Sequence, residues 1–525
     1  YYKYDKEIIQ QRMKLLIPVA MRIELKEGIN NCLIINDYYN SDINSLGIAL
    51  EFLANQSRYD KKTVILSDIL QSGKNEESLY SEVATLVHTK KITKFIGIGE
   101  TISRHKEKFK VDKYFYKTTE EFINSYPFIS FNNESILLKG ARFFKFEMIS
   151  NIIEQKSHST VLEINLNSLI HNYNYYKSQL QAGTKIIAMV KAFSYGCGSY
   201  EIAQSLQFHN VNYLAVAYTD EGVELRKAGI SCPIIVMNPQ ENSFDAIFKY
   251  NLQPEIYNFR ILNILLKNLK HYMLNYENAI SIHIKLDTGM HRLGFEEKDI
   301  DELINILKNN RQLRVESVFS HLAAAYDNTK DDFTLKQIEL FTLLSERVIE
   351  GLAYPILRHI LSSVGIIRFP QAAFDMVRPG IGLYGIPSTD KEKKELLNVG
   401  TLKTVIYQVK TIKKGESIGY GADCIVNRET KIGIIPVGYA DGLSRRLSNG
   451  KGKLFVNGCI VPVIGKICMD MTFIDITDIK AEESDEVIIF GKDYPISNIA
   501  EQLGTIPYEV LTNVSRRVKR VFFKE

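Results

Sequence analysis

Cysteine is sparse: six residues in 525, at positions 32, 197, 232, 424, 459 and 468, with no C-x-x-C pair. That spacing fits neither a zinc site nor a disulfide frame, so no metal is expected and a reducing, cytoplasmic setting is. An excess of charge is missing too. Lys and Arg total 65 against 61 Asp and Glu, for a formal net charge of +4. So even a balance leaves no electrostatic footprint for nucleic acid or an anionic membrane. No apolar run approaches the ~18–20 residues a membrane-spanning helix needs. Internal repeats and low-complexity tracts are absent. No phosphate loop of the form G-x-x-x-x-G-K-S/T occurs, and Asn449-Gly450-Lys451-Gly452-Lys453 is not one. The opening residues Tyr1-Tyr2-Lys3-Tyr4-Asp5-Lys6 form no signal peptide and lack an initiating Met, so the chain reads as a fragment of a longer product. What is present is ordinary globular composition, 45% apolar and 24% charged, which excludes disordered and fibrous classes. The length suits about three domains.

Residues 1–155 read as an open α/β domain. A helical stretch comes first, then a strand over 32–36 and a loop over 37–42. A helix follows with apolar spacing at Leu46, Ala49, Leu50 and Leu53, and further strands at 64–66 and 95–99. Continuous apolar strands between helices imply a parallel sheet covered on both faces. The polar stretch 155–160 reads as a linker. Residues 160–395 repeat strand then helix with strands expected at 185–191, 212–217, 233–237, 253–257, 280–287, 314–321, 356–361 and 374–378. Eight such units predict a (β/α)8 barrel, with chemistry at the C-terminal ends of its strands. Residues 396–525 switch to short strands at 405–409, 432–437, 453–456, 459–463, 471–476 and 486–490, an all-β domain. Asn457-Gly458 marks a type I′ hairpin. A strand over 160–166 precedes the barrel and is available to pair with the β domain.

Lys191 closes the first barrel strand, after Ile187-Ala188-Met189-Val190. Burying an ammonium is costly, so its pKa should fall, as a Schiff-base lysine requires. On position alone, a strand-end lysine that snorkels to water is the commoner reading. The loop Ser194-Tyr195-Gly196-Cys197-Gly198 that follows is able to reach a phosphate.

Ala188-Met189-Val190-Lys191-Ala192-Phe193-Ser194-Tyr195-Gly196 resembles the pyridoxal-phosphate lysine motif of alanine racemases. Further matches follow in order. They are Lys285-Leu286-Asp287-Thr288-Gly289-Met290-His291-Arg292, Phe319-Ser320-His321, Val377-Arg378-Pro379-Gly380-Ile381-Gly382, Gly419-Tyr420-Gly421, Gly438-Tyr439-Ala440-Asp441-Gly442, Ile467-Cys468-Met469-Asp470 and Pro507-Tyr508-Glu509. The resemblance covers about residues 160–525 and implies fold type III, a TIM barrel followed by a β domain. It implies interconversion of L- and D-alanine, supplying D-alanine for peptidoglycan. Lys191 would hold the cofactor and serve as one base; Tyr420 would be the other, on the opposite face of the substrate. An unassisted phenol, with a pKa of about 10, is a poor base, and the resemblance makes His321 its helper. Arg378 matches the arginine facing the cofactor ring nitrogen, with His359 in support. Arginine only donates, so that nitrogen stays unprotonated and the ring is a weaker electron sink, which suppresses transamination. Phosphate contacts are implied for Tyr195, Ser363, Gly380, Ile381 and Tyr508. Arg292 matches a residue touching the substrate carboxylate, and Tyr439 and Met469 match gate residues. Lys285 matches a lysine often carbamylated, which would relieve the repulsion of two uncompensated cations, Lys285 and Arg292. The family also implies a homodimer whose active sites are shared across the interface. Position 197 is Cys where His is common, and position 362 is Ser where Asn is common; both concern cofactor placement.

Two rivals use the same barrel. A non-catalytic pyridoxal-phosphate-binding barrel lacks the β domain and the second base, against Tyr420. A pyridoxal-phosphate decarboxylase places an acid at the ring nitrogen, against Arg378. Separately, Ile35-Asn36-Asp37-Tyr38-Tyr39-Asn40-Ser41, Leu66-Ser67-Asp68-Ile69-Leu70 and Leu138-Lys139-Gly140-Ala141-Arg142 resemble the Rossmann-like C-terminal domain of Mur ligases. The nearest type adds D-alanyl-D-alanine to the UDP-muramoyl tripeptide. Without the ATP-binding domain this part is expected to be the remnant of a ligase–racemase fusion, with no ligase activity of its own.

Overall fold

A computed structural model describes residues 24–38, 42–56, 58–70, 73–126, 130–154, 159–272 and 279–524. The expected opening helix up to residue 23, loop residues 39–41 and linker residues 155–158 lie outside them. The chain divides into two units, residues 1–157 and 158–525.

The first unit is built on six strands: β1 (Glu24–Gly28), β2 (Cys32–Asp37), β3 (Lys61–Ser67), β4 (Lys94–Ile98), β5 (Asp112–Tyr116) and β6 (Glu134–Lys139). They lie in the order β1-β2-β6-β3-β4-β5, parallel except for β1, which runs antiparallel along β2. Alternate residues serve opposite faces. Ile35, Val64, Phe95 and Leu137 join one core with Leu46 and Leu50, while Ile34, Ile65, Ile96 and Ile136 join another with Phe122 and Ile149. Helices cover both faces, which is why the strands are apolar without interruption. β6 escaped the apolar pattern because it begins and ends on charged residues. Both are buried: Lys139 Nζ lies 2.8 Å from Asp37 Oδ2, and Lys94 Nζ lies 3.4 Å from Glu134 Oε1.

The second unit opens with β7 (Val161–Asn165) and then the barrel. Its strands are β8 (Lys185–Met189), β9 (Tyr213–Val216), β10 (Ile234–Val236), β11 (Gln253–Ile256), β12 (Ile280–Lys285), β13 (Leu313–Phe319), β14 (Leu357–His359) and β15 (Met376–Val377). All paired neighbours are parallel, in the order β14-β13-β12-β11-β10-β9-β8-β15. Between β14 and β15 the ladder reduces to a bridge at Ser362 and Arg378, with Arg378 N donating to Leu361 O at 2.9 Å, so the barrel is nearly closed.

The β domain follows. It contains β16 (Gly400–Val405), β17 (Gln408–Ile412), β18 (Ser417–Ile418), β19 (Cys424–Ile425), β20 (Thr430–Ile435), β21 (Lys453–Val456), β22 (Cys459–Pro462), β23 (Thr472–Asp475), β24 (Glu486–Phe490) and β25 (Lys519–Phe523). The strand ahead of the barrel does join it: β7 lies between β16 and β25. Asn457 and Gly458 have φ of 47° and 80°, the two left-handed positions a type I′ turn demands. The single strand expected over 405–409 is instead a crossing between sheets. Ile406 N donates to Asp485 O at 3.0 Å, immediately ahead of β24, and Tyr407 N to Ile434 O at 2.8 Å on β20, a strand of a different sheet. Alternation of apolar and polar residues continues through such a crossing, so the pattern hides it.

Candidate active site

Lys191 lies two residues beyond β8, His321 two beyond β13, and Arg378 immediately beyond β15. All three therefore sit at the C-terminal mouth of the barrel. They line a cavity of 380 Å³ together with Tyr195, Lys285, Arg292, Ser363, Gly380, Ile381 and Tyr508. Tyr508 arrives from the β domain, on the helix Pro507–Thr512. Glu255, Met237, Asn238 and Ser362 also line the cavity.

The segment after Lys191 is backbone of unusual kind. Ala192, Phe193, Ser194 and Tyr195 all have φ between 51° and 56°. A left-handed conformation costs an L residue roughly 1–2 kcal/mol, so this turn must be held from outside. Ala192 N donates to Glu221 Oε1 at 2.6 Å, Arg520 Nε donates to Gly196 O at 2.9 Å, and Arg516 stacks over the Phe193 ring at 4.8 Å. These partners come from distant parts of the chain and were invisible in the sequence. Their effect is to aim Lys191 and Tyr195 into the cavity from consecutive turns. Burial holds the Lys191 ammonium below the ordinary lysine pKa, and the nearby cations Arg292, Lys285 and Arg378 add to it against the opposing Glu221 carboxylate.

Arg378 is buried and held by main-chain acceptors. Nη2 donates to Ser320 O at 2.7 Å and Ile360 O at 3.1 Å, and Nη1 donates to His359 O at 3.3 Å and to His359 Nδ1. Because arginine only donates, His359 Nδ1 accepts and its Nε2 carries the hydrogen. That hydrogen goes to Ser317 Oγ at 3.0 Å. Ser317 then donates to His283 Nδ1 at 2.6 Å, and His283 Nε2 donates to Gln253 Oε1 at 2.9 Å. The direction of every bond follows from the first donor. Burial keeps both imidazoles neutral, pushing His359 well below its ordinary value and His283 down to about 3. His359 thus stands behind Arg378 and not in the cavity wall. His321 is also driven down to about 3, by burial first and then by Arg378 and the other cavity cations.

At the other end, Ser363 Oγ accepts from Gly380 N at 2.8 Å and from Gly382 N at 3.4 Å, leaving its own hydrogen to donate. A Cβ at Gly380 would stand 2.7 Å from the Tyr195 hydroxyl, so this wall must be glycine. The Tyr195 ring packs at 4.9 Å on Tyr384, whose hydroxyl donates to Met189 O at 2.9 Å. Hydroxyl and main-chain donors around a glycine turn suit a phosphate, and a buried lysine of lowered pKa suits an aldehyde. The residues present therefore fit pyridoxal phosphate.

Tyr420, Tyr439 and Met469 are not in this wall. They are 67%, 44% and 53% exposed on the β domain, Tyr420 between the left-handed Gly419 and Gly421. Lys285 also differs from expectation. Its Nζ lies 3.0 Å from Glu255 Oε1, so its charge has a counterion and is not uncompensated. Glu255 was missed in the sequence, although a glutamate inside a barrel strand, Gln253-Pro254-Glu255-Ile256, was the visible signal.

Comparison with known proteins places matches over the second unit. Family models described as "Alanine racemase, N-terminal domain" and "Alanine racemase, C-terminal domain" match residues 164–388 and 399–522. An alanine racemase of Thermodesulfovibrio yellowstonii is 39% identical over 371 residues, covering 69% of this chain and 97% of the relative. One from Helicobacter pylori is 36% identical, covering 69% and 99%. Among solved structures, an alanine racemase of Clostridium difficile aligns with TM-score 0.66 and 34% identity over 71% of this chain and 97% of that one. An alanine racemase of Bartonella henselae with covalently bound pyridoxal phosphate aligns with TM-score 0.63 and 27% identity, covering 70% and 99%.

Proposed function

The chain belongs to the alanine racemase family, its activity is alanine racemisation with pyridoxal phosphate, and we propose that Lys191 and Tyr420 are the two bases that carry it out. The observation that carries this reading is the convergence of Lys191, Arg292, His321 and Arg378 with the Ser363–Gly380 turn in one cavity at the barrel mouth. Pyridoxal phosphate, when bound, supplies the electron sink that makes the substrate's Cα–H acidic.

Lys191 Nζ, its pKa lowered by burial, takes or returns the proton on one face of Cα. Tyr420 Oη serves the other face, because inversion requires a proton to leave one side and arrive on the opposite one. Arg292 holds the substrate carboxylate. Arg378, fixed by Ser320, His359 and Ile360, presents donors only and so keeps a proton off any ring nitrogen facing it. Ser363, Tyr195, Gly380, Ile381 and Tyr508 hold the phosphate, with Tyr508 helping to close the mouth. The exposure of Tyr420, Tyr439 and Met469 outside the cavity supports a homodimer in which a second copy brings them to it. The D-alanine formed would feed peptidoglycan synthesis.

For the first unit we infer a likeness to the C-terminal domain of a D-alanyl-D-alanine-adding Mur ligase. Support comes from the quoted motifs falling at C-terminal strand ends: Asp37 closes β2, Lys139 closes β6, and Asp68 follows β3. Ligands of open α/β sheets bind at that edge. Asp68 also accepts from Ile102 N at 2.7 Å and Thr101 N at 3.2 Å, at the start of the short helix Glu100–Arg104 that follows β4. The test of the racemase reading is direct. Purified chain with added pyridoxal phosphate should form D-alanine from L-alanine; a protein that binds the cofactor and forms none would sink it.

A further inference from the structure

The charge lining the cavity is one-sided. Lys191, Lys285, Arg292 and Arg378 all face it, and Glu255 is the single carboxylate among the lining residues. Glu255 is fully buried on β11. Its register partner on β12 is His283, which puts Lys285, two residues further on, on the same face and nearer the mouth. The Lys285 ammonium is held on two sides, by Glu255 Oε1 at 3.0 Å and by the face of Phe319 at 5.5 Å from the ring centre. The contact with Glu255 meets the distance of an ion pair, but neither carboxylate oxygen has a well-directed hydrogen bond. Burial pushes the Glu255 carboxyl up to about 7, and the charges of Lys285, Arg378 and Arg292 oppose that rise and favour the anion. No packing need explains it, because an apolar residue would fill a barrel strand at less cost.

We propose that Glu255 is the built-in anion of this active site, a positioning residue that holds Lys285 as an unmodified ammonium and supplies the negative charge that orders Arg292. This rests on the reading of the cavity as the racemase site. The charge is one that a carbamate on Lys285 would otherwise provide. Forming that carbamate needs the lysine nitrogen lone pair to attack the carbon of CO2 and the nitrogen to lose a proton. An ammonium locked against a carboxylate has no lone pair to offer, and a carbamate there would place a second anion beside the first.

The experiment equilibrates the cofactor-loaded enzyme with 13C-bicarbonate. Carbamate is read by 13C NMR and, after chemical trapping, by peptide mass at Lys285. Wild type should carry no label at Lys285. Glu255→Gln should carry it, and its KM for alanine should rise about tenfold in CO2-free buffer and recover with bicarbonate, with kcat moving less. A labelled Lys285 in wild type overturns the proposal. So does a Glu255→Gln enzyme with unchanged KM, or one whose raised KM bicarbonate does not restore, since that marks a purely structural residue. If the variant fails to fold, the wild-type labelling decides alone. Absence of racemase activity in wild type would sink the site reading instead, and the labelling result would stand apart from it.

Discussion

Mixing two dead variants should restore activity, and the amount can be worked out. Lys191 lines the cavity, whereas Tyr420 is 67% exposed on the β domain and outside it. If each site takes its lysine from one copy and its tyrosine from the other, Lys191→Ala and Tyr420→Ala homodimers lack one base at every site. Loss of a general base typically costs about 10²–10⁴ in rate, so each variant should be near background. After random subunit exchange about half the dimers are mixed, and each mixed dimer has one site with both bases intact and one with neither. The expected recovery is therefore about one quarter of wild-type activity, well above either parent. D-Alanine formation would be followed by a coupled D-amino-acid oxidase assay, with different affinity tags on the two variants to count mixed dimers. If tagged mixed dimers form and activity stays at background, Tyr420 acts within its own chain or is not a base.

Lys191→Ala should also abolish the near-visible absorbance of lysine-bound cofactor, and a variant that keeps that band would remove Lys191 from the cofactor site. Gly382→Ala should destabilise the barrel by at least the ~1–3 kcal/mol typical of overpacking, because its Cβ would stand 1.7 Å from the Tyr176 hydroxyl, itself bonded to buried Glu392; an unchanged melting temperature would refute this. His283 is held neutral with its pKa lowered to about 3, so the unfolded chain takes up the proton first. Its contribution to stability is full above the ordinary histidine pKa of about 6.5 and is lost as pH falls below that, by at most about 1.4 kcal/mol per pH unit. Urea midpoints of His283→Gln should depend less on pH than wild type over that window, and an equal slope would count against the buried neutral chain. With no phosphate loop in its sequence, the chain should show no ATP-dependent joining of D-alanyl-D-alanine to a muramoyl tripeptide; any such product would overturn the inference from the missing loop.

The barrel was legible in the sequence because its strands are buried on both faces and read as apolar runs punctuated by helices. Lys191, His321 and Arg378 were legible through the motifs that resemble alanine racemases, and their places at expected strand ends agree with the rule for barrel chemistry. Local chemistry also determined the Asn457-Gly458 turn, since few other residue pairs accept two left-handed positions. Tertiary structure alone decided the rest. Glu255 and Lys285 are 30 residues apart, and only the register of β11 on β12 brings them to 3.0 Å. The left-handed turn at 192–195 is held by Glu221, Arg516 and Arg520, and nothing local would favour it. The crossing at Ile406 and Tyr407 keeps a strand-like residue pattern while changing sheets. A sequence records which residues want burial and which turns the backbone tolerates. It does not record which distant groups burial then forces together, and the charge balance of this cavity is set by that second step.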